Sequence, residues 1–443
     1  ETFLDMHPDF TDLMLRRAGS SPLTVKIDER TRSSPAVLSV LSLHKQIKHL
    51  EINYGESTGI GNDSLFGEAL EKLLYSMESI ARSGARPENT NDHPIETQPR
   101  LVNLQTLRID SMALHYGSLP HAPSLTVLKL SSYWHPHGLK YASFLDGLAT
   151  MRNLKILHVS NMIPIELNPN SAGWVTPRPI TLPLLQELHI RDWLPMVTGF
   201  IHCLDIPSTT TLSLDGKGHT GPDYAQQVDQ LLSTLCTHWK RTILDDSHRL
   251  LSHPPTLSSF SFDNRSTIFE LDQEVNDKVS TSIINVACPS GDYIDVDSLV
   301  LQVDKYLGIS KVRKLSFNMC TPTASFWARD FPLLSKIIFT SCGLGPFALA
   351  FATDGQGRDP YPSLHTIDLR FTNFNGTVDG TSLVELLCKG LRQRSKENAI
   401  KSLYVTSAWA YGLPEHTKLK EVVDVTWDYL VYEIDSDDDE LDL

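Results

Sequence analysis

The strongest chemical grouping in the sequence comes from one offset of a recurring phrase. LVNLQTLRID, APSLTVLKLS, MRNLKILHVS and LPLLQELHIR place Arg108, Lys129, His158 and His189 at the same step, with Ser213 next in line. Two residues further on, the same copies give Asp110, Ser131, Ser160, Arg191 and Asp215. If each phrase is a strand, Arg108, Lys129, His158, His189 and Arg191 share one face of adjacent strands. Such a patch suits an acidic or phosphorylated segment, because guanidinium groups fork onto carboxylate and phosphate oxygens. The competing reading is a solvated face that happens to be basic.

Aromatics just past the strands, Tyr133, Trp134, Trp193 and Trp409, form a second candidate. Exposed Trp and Tyr are common anchors at interfaces. They would equally serve to cap a core at its strand ends.

Two glycine turns match G-x-G-x-x-G/A: Gly216-Lys217-Gly218-His219-Thr220-Gly221 and Gly343-Leu344-Gly345-Pro346-Phe347-Ala348. That spacing lets a backbone approach a pyrophosphate at a helix N-terminus. Both fall just after a strand of the recurring unit, where any tight turn favours glycine, and no ribose-binding acid completes the fingerprint. His135-Pro136-His137 and Asp295/Asp297 lack further ligands at fixed offsets. No G-x-S-x-G elbow occurs, and no cysteine sits in a protease signature. The expectation is a non-enzyme with no catalytic residue, no cofactor and no metal.

The elements that must position the patch follow from the spacing. The apolar triplets Leu104/Leu107/Ile109, Leu125/Leu128/Leu130, Leu154/Leu157/Val159 and Leu185/Leu188/Ile190 carry the strand signature of a leucine-rich repeat. An earlier copy reads Ile47/Leu50/Ile52. Weaker copies follow at Leu212/Leu214 with Thr209 in the first slot, Leu257/Phe260/Phe262, Val312/Leu315/Phe317, Leu334/Ile337/Phe339, Leu364/Ile367/Leu369 and Ile400/Leu403/Val405. Their intervals fall in or near the roughly 20–29-residue period of such repeats, with longer gaps hiding insertions or degenerate copies. VDSLVLQVDKYL is one candidate for a hidden helix or strand in such a gap, and the register across 213–311 stays open. No single unit could bury its apolar side alone, so the copies must stack. The expected fold is α/β: a leucine-rich-repeat solenoid with a curved parallel sheet on the concave side and helices and loops on the convex side. The rival is an ordinary α/β domain.

The expected organisation is a helix–strand connector over 1–46, the repeat domain over 47–431, and an acidic, disordered tail over 432–443. PDFTDLMLRRAGS reads as a helix with Phe10, Leu13 and Met14 on one face and Gly19 as its stop, followed by a half-buried strand at Leu23, Val25 and Ile27. SLFGEALEKLLYSMESIAR is a strong amphipathic helix. Segments near 84–100 and 161–183, rich in polar residues and proline, read as irregular insertions. KYASFLDGLATM should face the sheet with Tyr141, Phe144, Leu145 and Leu148. DYAQQVDQLLSTLC and SLVELLCKGLRQR carry the apolar stripe of returning helices.

The net charge of −14 argues against a general nucleic-acid binder, which needs a basic face. The six cysteines are scattered without a C-x-x-C pair and read as reduced, mostly buried thiols. No apolar run is long enough to span a bilayer, so no membrane partner is expected. The expected location is cytoplasmic or nuclear.

Two stretches together resemble fungal, mushroom-type F-box proteins with irregular leucine-rich repeats. One is LMLRRAGSSPLTVKIDE, similar to the helix–strand connector that follows the F-box there. The other is the array of divergent phrases such as LSLHKQIKHLEI, FPLLSKIIF and YPSLHTIDL. The resemblance covers nearly the whole chain. It implies a substrate receptor of a cullin-type ubiquitin ligase, which holds a protein substrate while a Skp-type adaptor docks on the F-box. Nothing in residues 1–22 looks like that box, and the chain begins at Glu1, so the box is expected upstream. No adaptor-binding residue transfers. The alternative is a stand-alone leucine-rich-repeat scaffold with no ligase link.

Overall fold

The structure is a computed structural model. It describes residues 8–28, 37, 39–40, 43, 45–53, 103–110, 122–132, 141–169, 179–207, 209–218, 223–243, 255–263, 266–275, 278–287, 296–352, 361–394, 398–408 and 411–428. The amphipathic stretch after Asp63, the insertion near 84–100 and the tail over 432–443 lie outside these residues. The fold is mixed α/β, and it divides into two units: 1–216 with 237–248, and 217–236 with 249–443.

The first unit is built on β1 (Leu23–Ile27), β2 (Ile47–Asn53), β3 (Thr106–Asp110), β4 (Val127–Ser131), β5 (Ile156–Ser160), β7 (Glu187–Trp193) and β9 (Thr211–Lys217), adjacent in that order. From β1 through β7 the neighbours are parallel, and from Leu50 to Leu107, Leu128, Leu157 and Leu188 the middle leucines stay in register. Every apolar triplet from Ile47 to Ile190 points inward, each residue no more than 3% exposed. Alternation along a strand sends the intervening residues to the opposite face.

The turns repeat as well. Leu125, Leu154 and Leu185 each donate their N–H to the carbonyl three residues back, closing a turn just before the strand. Asn103 and Asn153 then reach across to carbonyls of the preceding copy, Lys45 and Pro123, at 2.7 and 2.9 Å. These bonds tie each turn to the copy before it.

Two sequence expectations need correction here, and the N-terminal helix gains a detail. The helix α1 (Pro8–Ala18) ends as expected at Gly19, whose φ is +57°. The face that carries Phe10 and Leu13 is exposed: the two are 42% and 44% accessible, while Thr11 is buried. Thr209 is exposed, and Thr210 takes the inner position, donating its hydroxyl to the Leu185 carbonyl at 2.9 Å. The 161–183 insertion is not wholly irregular. A 3-10 turn at Ile165–Leu167 and the short β6 (Ile180–Thr181), paired in parallel with β8 (Leu204–Asp205), bury Met162, Ile163, Leu167 and Ile180.

Two helices complete this unit's packing. In α2 (Tyr141–Ala149), Phe144, Leu145 and Leu148 are buried as the stripe predicted; the Tyr141 side chain lies outside the described residues. The next, α3 (Leu194–His202), follows β7 without a loop and is buried from Leu194 to Ile201.

In the second unit the strand order is β12 (Lys278–Ala287), β11 (Ser266–Val275), β10 (Thr256–Asp263), β13 (Lys314–Asn318), β14 (Lys336–Thr340), β15 (Thr366–Arg370), β18 (Ser402–Thr406) and β19 (Val425–Trp427). From β10 through β19 the strands are parallel and in register. The pairs β10–β11 and β11–β12 are antiparallel, so the strands are not all parallel. This meander accounts for part of the long gap before Leu315. VDSLVLQVDKYL supplies the rest as a helix. The small pair β16 (Thr377–Val378) and β17 (Thr381–Ser382) stands apart.

The helices here are α4 (Asp223–Ile243) as far as residue 236, α5 (Val296–Leu307), α6 (Ala324–Trp327), α7 (Gly345–Ala352), α8 (Leu383–Gln393) and α9 (Leu413–Lys420). Ser382 starts α8 with a capping box to Glu385. The core is aromatic: Trp327 lies 5.4 Å from the Phe317 ring, 4.7 Å from Phe326 and 5.0 Å from Phe347.

One device recurs in both units. The residue immediately after β5, β13, β14, β15 and β18 is left-handed although none is glycine: Asn161, Met319, Ser341, Phe371 and Ser407. That conformation costs roughly 1–2 kcal/mol for an L-residue. Each N–H finds an acceptor in the next copy, for instance Asn161 to the Arg191 carbonyl at 2.7 Å and Phe371 to the Thr406 carbonyl at 2.9 Å. One residue beyond, the chain turns inward again at Cys320, Cys342, Thr372 and Ala408, all buried. A hydrogen bond from the Cys320 thiol pulls Cys342 down to about 7, against the opposing effect of burial. Among the described residues, Cys203, Cys236, Cys320, Cys342 and Cys388 form no disulfide, and all but Cys236 are buried.

Candidate functional site: two outward strand faces

On the first unit, register places Lys26 beside Glu51, Glu51 beside Arg108, Arg108 beside Lys129, Lys129 beside His158, and His158 beside His189. The four sequence-predicted residues of this row are thus neighbours on one outward face. His189 Nδ1 lies 2.8 Å from Ser213 Oγ, which continues the row. Arg191 belongs to the parallel row beside Ser160.

The face is less basic than its composition suggests. Arg108 pairs with Glu51 at 3.6 Å and also donates to Asp110. Asp110 further accepts from Ser131 Oγ at 2.9 Å. Arg191 pairs with Asp215 at 3.2 Å, and Lys26 with Glu51 at 3.1 Å. Lys129 forms no ion pair among the described residues. The two imidazole rings sit 5.3 Å apart. Burial first, then Lys129, His189 and Arg108, hold His158 down at about 4. Burial also lowers His189, with Asp215 opposing and Arg191 and Lys129 assisting. Near neutral pH both rings are therefore uncharged hydrogen-bonding groups.

This yields a testable titration. A histidine-selective proton NMR titration of the folded protein should show the His158 midpoint near 4, below the ordinary 6.5. The unfolded chain protonates this ring first, as pH falls through about 6.5. Its contribution to stability is therefore complete above that pH and is lost as pH falls towards the folded value. Lys129→Ala should move the midpoint upward. A His158 midpoint at the ordinary value in folded protein would contradict the geometry.

The aromatic rim is only partly visible. Trp193 is half-buried at the end of β7. Tyr133, Trp134 and Trp409 lie outside the described residues, as do His135, His137 and Asp295. Asp297 accepts from Ser325 Oγ at 3.0 Å.

The glycine turns have packing roles. Gly216 lies inside β9, not after it, where a Cβ would meet Leu194 Cδ1 at 2.8 Å. Gly343 already donates its N–H to Thr321 Oγ1 at 3.0 Å. Among the described residues no cluster of His, Cys, Asp and Glu could hold a metal ion, and no helix is long and apolar enough to cross a membrane.

The second unit carries a group that the sequence reading missed. A depression of about 560 Å3 on the outward face of β14, β15 and β18 is lined by Lys336, Asp368, Arg370, Phe371 and Tyr404. Asp368 is only 4% exposed. Arg370 forks onto it, Nε to Oδ1 at 3.0 Å and Nη2 to Oδ2 at 2.7 Å, and Lys336 Nζ approaches at 3.6 Å. The hydrogen bond to Asp368 raises Arg370 still higher, against burial. Continuing the cross-copy reading past Ser213 would have found Asp368 and Tyr404, which occupy matched steps of β15 and β18. No family model matches the chain, and neither does any curated protein.

Proposed function

We propose that the chain is a leucine-rich-repeat recognition module, with each run of parallel strands forming the concave side of a solenoid. One observation carries this reading: variable polar side chains in unbroken register on one face, over a buried ladder of leucines. Burial of Cys320 and Cys342 supports it, since both stand at the N/C step of L-x-x-L-x-L-x-x-N/C. Arg108 and His189 are held by Glu51 and Ser213, which suits capture of a protein partner, because side chains already held in place lose little entropy on binding. Resemblance to fungal F-box proteins makes the partner a substrate for ubiquitin transfer, with a Skp-type adaptor engaged by an upstream F-box. The plain scaffold is the second reading.

Affinity capture from cells expressing the chain with its native upstream sequence separates them. The receptor reading expects a Skp-type adaptor and a partner protein to co-purify. Lys129→Glu with Arg191→Glu should leave the fold intact and the adaptor bound, but lower partner recovery about tenfold or more, in the range of lost interfacial charge contacts. Ubiquitin modification of that partner should fall with it. A partner retained without the adaptor selects the scaffold, and unchanged recovery by the folded double variant removes the patch from either reading.

A further inference from the structure

The geometry points to a docking site for an acidic, extended protein segment on β14, β15 and β18 of the second unit. It deepens the recognition reading above but rests on different strands and residues. Lys336 and Arg370 share the single carboxylate of Asp368, so one positive charge is uncompensated. Lys314 stands beside Lys336 in the same row of β13 and adds another. Charges farther away than a Debye length of about 8 Å are largely screened, so this local excess is what an arriving segment meets.

Asp368 has a further role. Buried beneath the two cations, it holds the Arg370 fork in one orientation before any partner arrives. Pre-ordering of this kind lowers the entropic cost of binding. The occupant's own carboxylates would take the outer faces of Lys336 and Arg370, whose side chains are 36% and 47% accessible.

Next to these cations stand two exposed rings. Phe371 is 44% accessible because the left-handed backbone after β15 turns it out of the core. Tyr404 is 39% accessible and lies beside Asp368 in register. Rings flanking cations fit a segment in which apolar residues interrupt the acids. Crossing three strands spans roughly 10 Å, which three or four extended residues cover.

Fluorescence anisotropy on the full chain tests this with a labelled nonamer of alternating Asp and Leu. The wild type should bind it, more weakly as salt rises, and a nonamer with Lys in place of Asp should not bind. Lys336→Glu and Arg370→Glu should each weaken binding about tenfold, with circular dichroism unchanged. Tyr404→Ala should weaken it about fivefold. Lys129→Glu should leave it unaltered, so failure here is distinct from failure of the first face. Equal binding by wild type and the folded Lys336→Glu and Arg370→Glu variants would overturn the site. Binding that requires a phosphorylated peptide would overturn the carboxylate assignment, and no binding by the wild type would overturn both.

Discussion

Gly199→Ala should destabilise the first unit by about 3 kcal/mol or more, the upper range for forced overpacking. An alanine Cβ at this position would stand 1.7 Å from the Leu167 carbonyl oxygen and 2.9 Å from its carbon. No rotamer relieves that clash, because both partners are backbone. Either α3 or the 3-10 turn at Ile165–Leu167 must move, and Leu167, Ile163 and Met162, now buried, would lose contacts. Because β7 runs into α3 without a loop, the displacement also reaches Arg191 and His189. Urea unfolding followed by circular dichroism should show an earlier midpoint, and partner recovery should fall in parallel. A variant with the wild-type midpoint would mean that the approach of α3 to Leu167 is wrong.

Phe339→Ala should cost about 3–5 kcal/mol in the second unit. The Phe339 ring is fully buried, 5.6 Å from Phe317, 5.8 Å from Trp327 and 5.0 Å from Phe347. Its removal leaves a cavity that neighbouring rings, fixed by one another, are poorly placed to fill. Phe339→Leu keeps most of the volume and should cost roughly 1.5 kcal/mol or less. Equal losses for the two variants would exclude the cavity as the cause. The strand also carries Lys336, so the alanine variant should weaken acidic-peptide binding while the leucine variant preserves it.

The copies with strict leucine triplets were legible because buried leucine at a fixed offset has no substitute signal to confuse it. From Leu104 to Ile190, strand position, direction of the core and cross-strand register all follow from spacing alone. The stop at Gly19 was equally local. The antiparallel β11 and β12 were not read, although Glu270 separates the buried Phe269 and Leu271 and Asn285 separates the buried Ile284 and Val286. Their period of two is masked by the apolar Ile268 and Ile283, which stand directly beside Phe269 and Ile284. Thr210 was missed because a threonine satisfies the inner position only through its hydroxyl bond to Leu185, which no apolar pattern reveals.

Phe10 and Leu13 show the limit of such a pattern. A helical stripe signals which residues share a side, but it does not state that anything covers them. Gly216 likewise matched a phosphate-binding pattern while its actual constraint is the approach of Leu194.

Amino-acid order thus decided the recurring strands and which side chains face outward, since both depend on neighbours a few positions apart. Charge at the two faces depends on local pairs, Arg108 with Asp110 and Arg370 with Asp368, and on partners distant along the chain: Glu51 with Arg108, Asp215 with Arg191, and Asp368 with Lys336. Burial then set the protonation of His158 and His189. These effects act through space over a few ångströms, so they exist only once the strands lie side by side.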